Sequence, residues 1–310
     1  MASNLSAPHF HGEQAAYDYV EARVWPNGRV CPHCGVVERS GALKGKSNRI
    51  GLYKCYACRK PFTVKVGTIF EDSHIKMTVW LQAMYLMAAS KKGISANQLH
   101  RTLGITLKSA WFLAHRIREA MTGGNPGPLG GPGVTVEVDE TFHGPADYIF
   151  VNDKGWQKKR GAYAKPHKIV TLVERGGRAR SVKVQDLNIP TIEAVLSQVD
   201  PASTLHTDQA QHYKVPGRRF ADHQSVNHGK GEYGRGPTTT NTVEGFFSIF
   251  KRGMVGVYQH CGEKHLGRYL AEFDFRYSNR SALGVDDAGR ADRALDGVVG
   301  KRLQYRSACA

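Results

Sequence analysis

The sequence has no long hydrophobic run. Its longest apolar stretch, Met77 to Ala89, contains a glutamine and is too short to span a bilayer. A charged-then-apolar leader is missing as well, because Met1 to Pro8 is short and polar. Both absences argue for a cytoplasmic protein with no membrane partner. Acidic residues are scarce beside basic ones, 27 against 43, which leaves a formal net charge of +16. An excess of that size points to a polyanionic partner; nucleic acid is the usual one, and an anionic membrane surface is the competing idea. Cysteine is sparse too, six in 310 residues, and internal repeats are lacking. Apolar residues are not in short supply: a hydrophobic fraction of 41% excludes wholesale disorder. The length suffices for a catalytic core of ordinary size plus one or two small modules.

Four of the six cysteines form two Cys-x-x-Cys pairs, Cys31-Pro32-His33-Cys34 and Cys55-Tyr56-Ala57-Cys58, with twenty residues between them. In an intracellular chain this pattern favours metal over disulfides. Each pair can turn two thiolates toward one ion, and two such knuckles complete the tetrahedral site of a structural zinc. A four-cysteine site is closed, so it folds its module and leaves catalysis to another part of the chain. Cys261 and Cys309 remain as free thiols, and His33 faces solvent. Lys44, Lys46, Arg49, Lys54, Arg59 and Lys60 make the module basic. That suits phosphate contact, though a merely solvated charged face would look the same.

The spacing predicts a short helix over residues 9–24, broken at Trp25-Pro26-Asn27-Gly28, and short strands at Ser47–Lys54 and Phe62–Val66. Asp72 or Ser73 can cap a helix running through Trp80, Leu81, Met84, Tyr85 and Met87. Two further helices follow, Ser95–Leu103 and Thr106–Met121, with Gly104-Ile105 as their turn. They resemble a helix-turn-helix in which Lys108, Ser109, His115, Arg116 and Arg118 are available to DNA. Ordinary helical packing would give the same pattern. Residues 123–133, rich in glycine and proline, read as a linker and a domain boundary.

Beyond that boundary the pattern becomes that of strands. Val134, Val136 and Val138 alternate with Thr135, Glu137 and Asp139. Strands are expected at Lys168–Glu174, Arg180–Leu187 and Ser203–Thr207, and less clearly at His223–Val226. Helices are expected at Pro190–Val199, Thr242–Arg252 and Lys264–Tyr277, giving an α/β or α+β domain. Asp139 lies on the non-valine face of its strand, Asp208 ends a later strand, and Glu244 opens a helix with thirty-five residues between it and Asp208. Three such carboxylates can converge on divalent ions, and an oxygen-rich set prefers Mg²⁺ or Mn²⁺ to zinc. Glu137 and Glu140 flank Asp139, and strand alternation alone favours Asp139 over Glu140. On a helix, Asn241, Glu244, Ser248 and Lys251 share one face, while Phe247, Ile249 and Phe250 point largely away from it. Lys154 to Lys183 holds ten Lys or Arg against one acidic residue, with Trp156 and Tyr163 interleaved. Its Lys158, Lys159 and Arg160, together with Arg252, are candidate DNA contacts. Gly229 to Pro237 reads as a flexible basic loop.

The Cys-x-x-Cys pairs, Val136-Glu137-Val138-Asp139-Glu140-Thr141, His206-Thr207-Asp208, Thr240-Asn241-x-x-Glu244 through Lys251, and Arg276-Tyr277-Ser278-Asn279-Arg280 after Phe273 resemble bacterial insertion-sequence transposases of the IS1595, or ISXO2-like, family. The resemblance covers roughly residues 10–280. It implies a zinc ribbon ahead of an RNase H-like domain, and Mg²⁺-dependent cleavage and strand transfer of DNA. It also implies Asp139 and Asp208 as metal-binding aspartates and Lys251 as the basic residue after them. The third metal position is either Glu244 or Asn241; a carboxylate is the better ligand for a hard ion, which favours Glu244 with Asn241 in support. The implied partners are double-stranded DNA, both the element's terminal inverted repeats and its target, bound by a homo-oligomer at the bacterial nucleoid. The resulting division is 1–28 helical segment, 29–68 zinc ribbon, 69–122 helix-turn-helix-like helices, 123–133 linker, 134–285 RNase H-like domain and 286–310 tail. An RNase H-like nuclease or resolvase without strand transfer, and a domesticated zinc-ribbon regulator, are the competing readings.

Overall fold

The computed structural model describes residues 3–45, 47–123, 127–144, 148–151, 155–158, 166–232 and 234–304, with backbone alone for 148–151, 155–158 and 228. Two compact units result, Met1–Gly124 with Gly284–Ala310, and Asn125–Leu283.

The first unit begins with α1 (Glu13–Val24). The cysteine module follows as a small antiparallel sheet of β1 (Ser40–Ala42), β2 (Tyr53–Cys55) and β3 (Pro61–Phe62). These strands are shorter than the alternation suggests, because turns occupy both flanks: the Asn48 amide donates to Gly45 O, and that of Val66 to Thr63 O. Next comes α2 (Met77–Ala89), which buries Met77, Trp80, Leu81, Met84 and Met87. Neither Asp72 nor Ser73 caps it. The Glu13 carboxylate of α1 accepts from the Met77 and Thr78 amides at 2.7 and 3.2 Å, while Ser73 Oγ accepts from the Trp80 indole. A local-sequence argument misses this cap, because its donor and acceptor come from different helices.

The next pair, α3 (Ala96–Leu103) and α4 (Leu107–Met121), matches the sequence reading closely. Ser95 Oγ accepts from the Gln98 amide and Thr106 Oγ1 from that of Ser109, both at 3.1 Å. Gly104 ends α3 at φ 63°, a left-handed conformation that glycine adopts without strain.

Of the glycine-rich stretch 123–133, residues 127–133 are packed into the second unit. Residues 124–126 lie outside the described residues, but Leu129 is buried and bridges to Val199. The Gly130 amide donates to Glu174 Oε1 and the Gly131 amide to Ser203 Oγ. Gly130 has φ +83°, and a Cβ there would fall 2.0 Å from Ser203 Oγ, so close packing demands glycine.

The chain then runs through β4 (Thr135–His143), the hairpin β5 (Tyr148–Val151) and β6 (Gly155–Lys158), β7 (His167–Glu174) and β8 (Ala179–Val184). It continues with α5 (Ile189–Leu196), β9 (Thr204–Asp208), α6 (Gln211–Gly217) and β10 (Asp222–Val226). Last come α7 (Asn241–Gly253), a π-helical turn at Met254–Tyr258, and α8 (Leu266–Ser278). Neither the β5–β6 hairpin nor α6 is expected from the sequence. The main sheet has the order β10-β9-β4-β7-β8. β4, β7 and β8 are antiparallel neighbours, while β9 pairs in parallel with both β4 and β10. This is the RNase H-like mixed sheet that the resemblance implies.

Both faces of the sheet are covered. Val136, Val138, Val170, Leu172 and Leu205 pack with Ile192, Val195 and Leu196 of α5 and Tyr213 of α6. Ile169, Val173 and Ala179 pack with Val243, Phe246, Phe247 and Phe250 of α7 and Phe273 of α8. By strand alternation, Glu137 and Asp139 therefore look toward the α7 side.

Residues 286–310 are not the tail that the sequence suggests. They contain α9 (Asp287–Asp296), capped by Asp286 and folded into the first unit against α2 and α4. The Arg290 guanidinium donates to Ala88 O at 3.1 Å, and a Cβ on Gly297 would fall 2.2 Å from Ala120 O. Among the described residues, no helix is long and apolar enough to cross a membrane.

Candidate functional site

The four sulfurs of Cys31, Cys34, Cys55 and Cys58 lie within 4.8 Å of one another. Cys31–Cys58 and Cys34–Cys55 are each 3.7 Å apart. Tetrahedral zinc with bonds of about 2.3 Å sets its sulfurs about 3.8 Å apart. A disulfide would need about 2.05 Å, so the donor set fits zinc. Backbone N–H groups of Cys58 and Ala57 point at the Cys55 sulfur and lower its pKa to about 6, while against the Val36 N–H, burial and the other three sulfurs push that of Cys34 up to about 11. Around the knuckles, Phe62 packs with Trp25, Val36 and Tyr53, and Tyr53 Oη donates to Glu21 of α1 at 2.6 Å. Lys44, Arg49, Lys54, Arg59 and Lys60 are all exposed; Lys46 lies outside the described residues.

On α4 the expected DNA contacts separate. Lys108 is exposed, whereas His115, Arg116 and Arg118 are buried within the first unit. Arg116 Nε donates to Leu303 O at 3.1 Å, and its guanidinium lies 4.9 Å from the centre of the Phe112 ring. Arg116 and Arg118 are thus packing residues and do not present a basic helix face to phosphate. The sequence hides this, because the segment that covers α4 lies nearly two hundred residues away. Lys159 and Arg160 lie outside the described residues, as does the side chain of Lys158.

In the second unit, Glu137 of β4 pairs in register with His206 of β9. Two residues further along these parallel strands, Asp139 and Asp208 come level. Their carboxylates and that of Glu140 lie within 4.8 Å of one another. The Asp139 carboxylate accepts from the Glu140 amide at 2.8 Å, and that of Asp208 from the Ala210 amide at 2.9 Å. Glu140 Oε2 accepts from Tyr213 Oη at 2.7 Å, with His212 Nε2 at 3.6 Å. Burial raises the Asp139 pKa to about 7, and the charges of Glu140, Asp208 and Glu244 add to the rise, against the Glu140 N–H, which lowers it. Crowded oxygens of like charge are the donor set that a hard divalent cation prefers.

The gathered set differs from the expected one. Glu140 joins the two aspartates, while Glu244 lies outside the cluster, although its charge reaches Asp139. Glu244 is exposed in the first turn of α7, and its Oε1 accepts from Thr240 Oγ1 at 2.9 Å. Asn241, Ser248 and Lys251 are exposed with it, while Val243, Phe246, Phe247 and Phe250 are buried. The face read from the helical spacing is therefore present. Lys251 Nζ lies 5.9 Å from the Phe247 ring centre, and Arg252 Nε donates to Ser248 O.

Sequence reasoning overlooks three other groups. Tyr213 is buried and orients Glu140, and Arg175 pairs with the fully buried Glu137. The one available signal is for Glu137, which shares the strand face of Asp139. Two histidines near the acidic cluster in sequence make side-chain contacts of their own: His206 Nδ1 with Arg175 and His223 Nε2 with Thr207 Oγ1. Burial lowers both pKa values, and Arg175 lowers that of His206 further.

Comparison with known proteins shows the family. Residues 128–278 match the family model described as the ISXO2-like transposase domain, and residues 12–61 match the transposase zinc-ribbon domain. A relative from Halobacterium salinarum, described as an uncharacterized protein in transposable element ISH50, is 26% identical over 284 residues, covering 86% of this chain and 91% of the relative. With both parts matched and an acidic cluster at the heart of the second, the chain belongs to the IS1595, ISXO2-like transposase family.

Proposed function

We propose that this chain cuts DNA at the ends of its own insertion sequence and joins the freed 3′ ends to a second duplex, with Mg²⁺ or Mn²⁺ as cofactor. The meeting of Asp139 and Glu140, within β4, with Asp208, at the end of the parallel β9, carries this reading. A divalent cation there would polarise the scissile phosphate and lower the pKa of the attacking water or 3′ hydroxyl. Asp139 and Asp208 are the ligands held in common, each oriented by a backbone amide. Glu244 is the third ligand, with Asn241 beside it on the same exposed face of α7. Glu140, held by Tyr213, adds negative charge on the opposite side of Asp139.

Lys251, two turns beyond Glu244 on the same face, neutralises a DNA phosphate next to the reacting one. The exposed ribbon cations, Lys108 and Arg252 bind the duplex through its backbone, and Lys158, Lys159 and Arg160 extend that contact. Specificity for the terminal repeats belongs to the zinc ribbon and the helices after it. Bringing two element ends and a target together calls for a homo-oligomer on the DNA of the nucleoid. The test uses DNA carrying the repeats that flank the gene. Asp139→Asn and Asp208→Asn should each abolish cleavage and leave binding of that DNA nearly intact. Cleavage surviving in both variants would show that the active site lies elsewhere.

A further inference from the structure

Glu137 is wholly buried, and both of its carboxyl oxygens are hydrogen-bonded. Its Oε2 accepts from the Thr242 and Val243 amides at 2.7 and 3.0 Å, and its Oε1 from Thr242 Oγ1 at 2.8 Å and Arg175 Nε at 2.6 Å. Thr242 and Val243 lie in the first turn of α7, whose own N-cap residue, Thr240, makes no side-chain cap. A carboxylate from the central strand therefore satisfies the open amides of this helix and meets the positive end of its dipole.

Arg175 extends the arrangement. Its Nη1 donates to Pro237 O at 2.7 Å and its Nη2 to Thr239 O at 3.0 Å, both in the segment that leads into α7. Nη2 also lies 3.2 Å from His206 Nδ1. One guanidinium thus touches β4 two residues before Asp139, β9 two residues before Asp208, and the chain five residues before Glu244. A planar group with five fixed donors can hold three elements in one register, which a flexible ammonium cannot do.

We propose that the Glu137–Arg175 pair is a positioning device for the metal centre: it fixes the start of α7 against β4 and β9, and thereby sets where Glu244 stands relative to Asp139 and Asp208. The inference rests on the metal-dependent reading above. It differs from a simple stabilising contact, because the effect on metal must pass through Glu244.

The experiment is a calorimetric Mn²⁺ titration of the full-length, zinc-loaded protein without DNA. Wild type is compared with Glu137→Gln, Glu244→Gln, the double variant, and Asp139→Asn as a control. Glu137→Gln and Glu244→Gln should each weaken Mn²⁺ about tenfold, the scale seen when a group that orients a metal ligand is changed. The double variant should bind no more weakly than either single one. Losses that multiply in the double variant would overturn the inference, as would unchanged Mn²⁺ affinity in either single variant. If Asp139→Asn itself leaves Mn²⁺ binding intact, the metal-site reading has failed and the positioning role fails with it. Should Glu137→Gln not fold, Arg175→Lys retains the carboxylate cap and carries the same expectation in combination with Glu244→Gln.

Discussion

Asp139 carries the cost of the site. Its pKa of about 7 lies well above that of an unfolded aspartate, because the folded chain buries it beside other carboxylates. A raised folded-state value means that this group's favourable contribution is fully present below about pH 4 and is lost as the pH rises through about 7. Thermal stability of protein free of Mg²⁺ and Mn²⁺ should accordingly fall over that window by more in wild type than in Asp139→Asn. At pH 7 the variant should be the more stable, by on the order of 1 kcal/mol. Parallel melting curves of the two proteins across pH measure this, and identical pH profiles would contradict it. The arginines of α4 make the opposite case. Arg116→Ala should cost about 1–3 kcal/mol of stability, since it strips a partly buried hydrogen bond to Leu303 O and a ring contact. Its DNA affinity should hold once folding is accounted for, while Lys108→Ala should weaken DNA binding and leave the melting temperature nearly unchanged.

Elements were legible where the signal is local. Ser95, Gly104 and Thr106 mark the limits of α3 and α4 by their own chemistry, and the 3.6-residue period of α7 separates its aromatic face from its polar one. The cysteine spacing needs nothing beyond itself. What stayed hidden was supplied across the chain: Glu13 capping α2, Glu137 capping α7, and Tyr213 turning Glu140 toward the two aspartates. Strand alternation separates Asp139 from Glu140, but it does not foresee that side chains from opposite faces of β4 converge beside the end of β9. The ribbon is the element whose stability depends most on an ion, since its strands are only two or three residues long. Chelation of zinc should unfold residues 29–66, read as loss of amide hydrogen-exchange protection at Tyr53–Cys55, while protection at β4 and β7 persists. Protection of β2 that survives chelation would show that the small aromatic core holds the ribbon without metal.

At the scale of the molecule, the chain returns to its beginning. Residues Gly284–Ala310 complete the unit formed by Met1–Gly124, and α9 covers apolar surface of α2. The sequence obscures this because α9 offers few large apolar side chains, burying Ala294 and Leu295 and closing on Ala120 through Gly297. Removing residues 284–310 should therefore make α2 and α4 sensitive to protease and leave Asn125–Leu283 resistant. Equal sensitivity of the two units would contradict the division. The family is carried by both units, but the chemistry proposed belongs to the second, and one measurement addresses it most directly. Purified protein, Mg²⁺ and a duplex ending in the element's own terminal repeat are mixed with a second duplex as target. Covalent joining of the repeat's 3′ end to the target, absent in Asp139→Asn and Asp208→Asn, is the predicted result; hydrolysis with no joined product would contradict it.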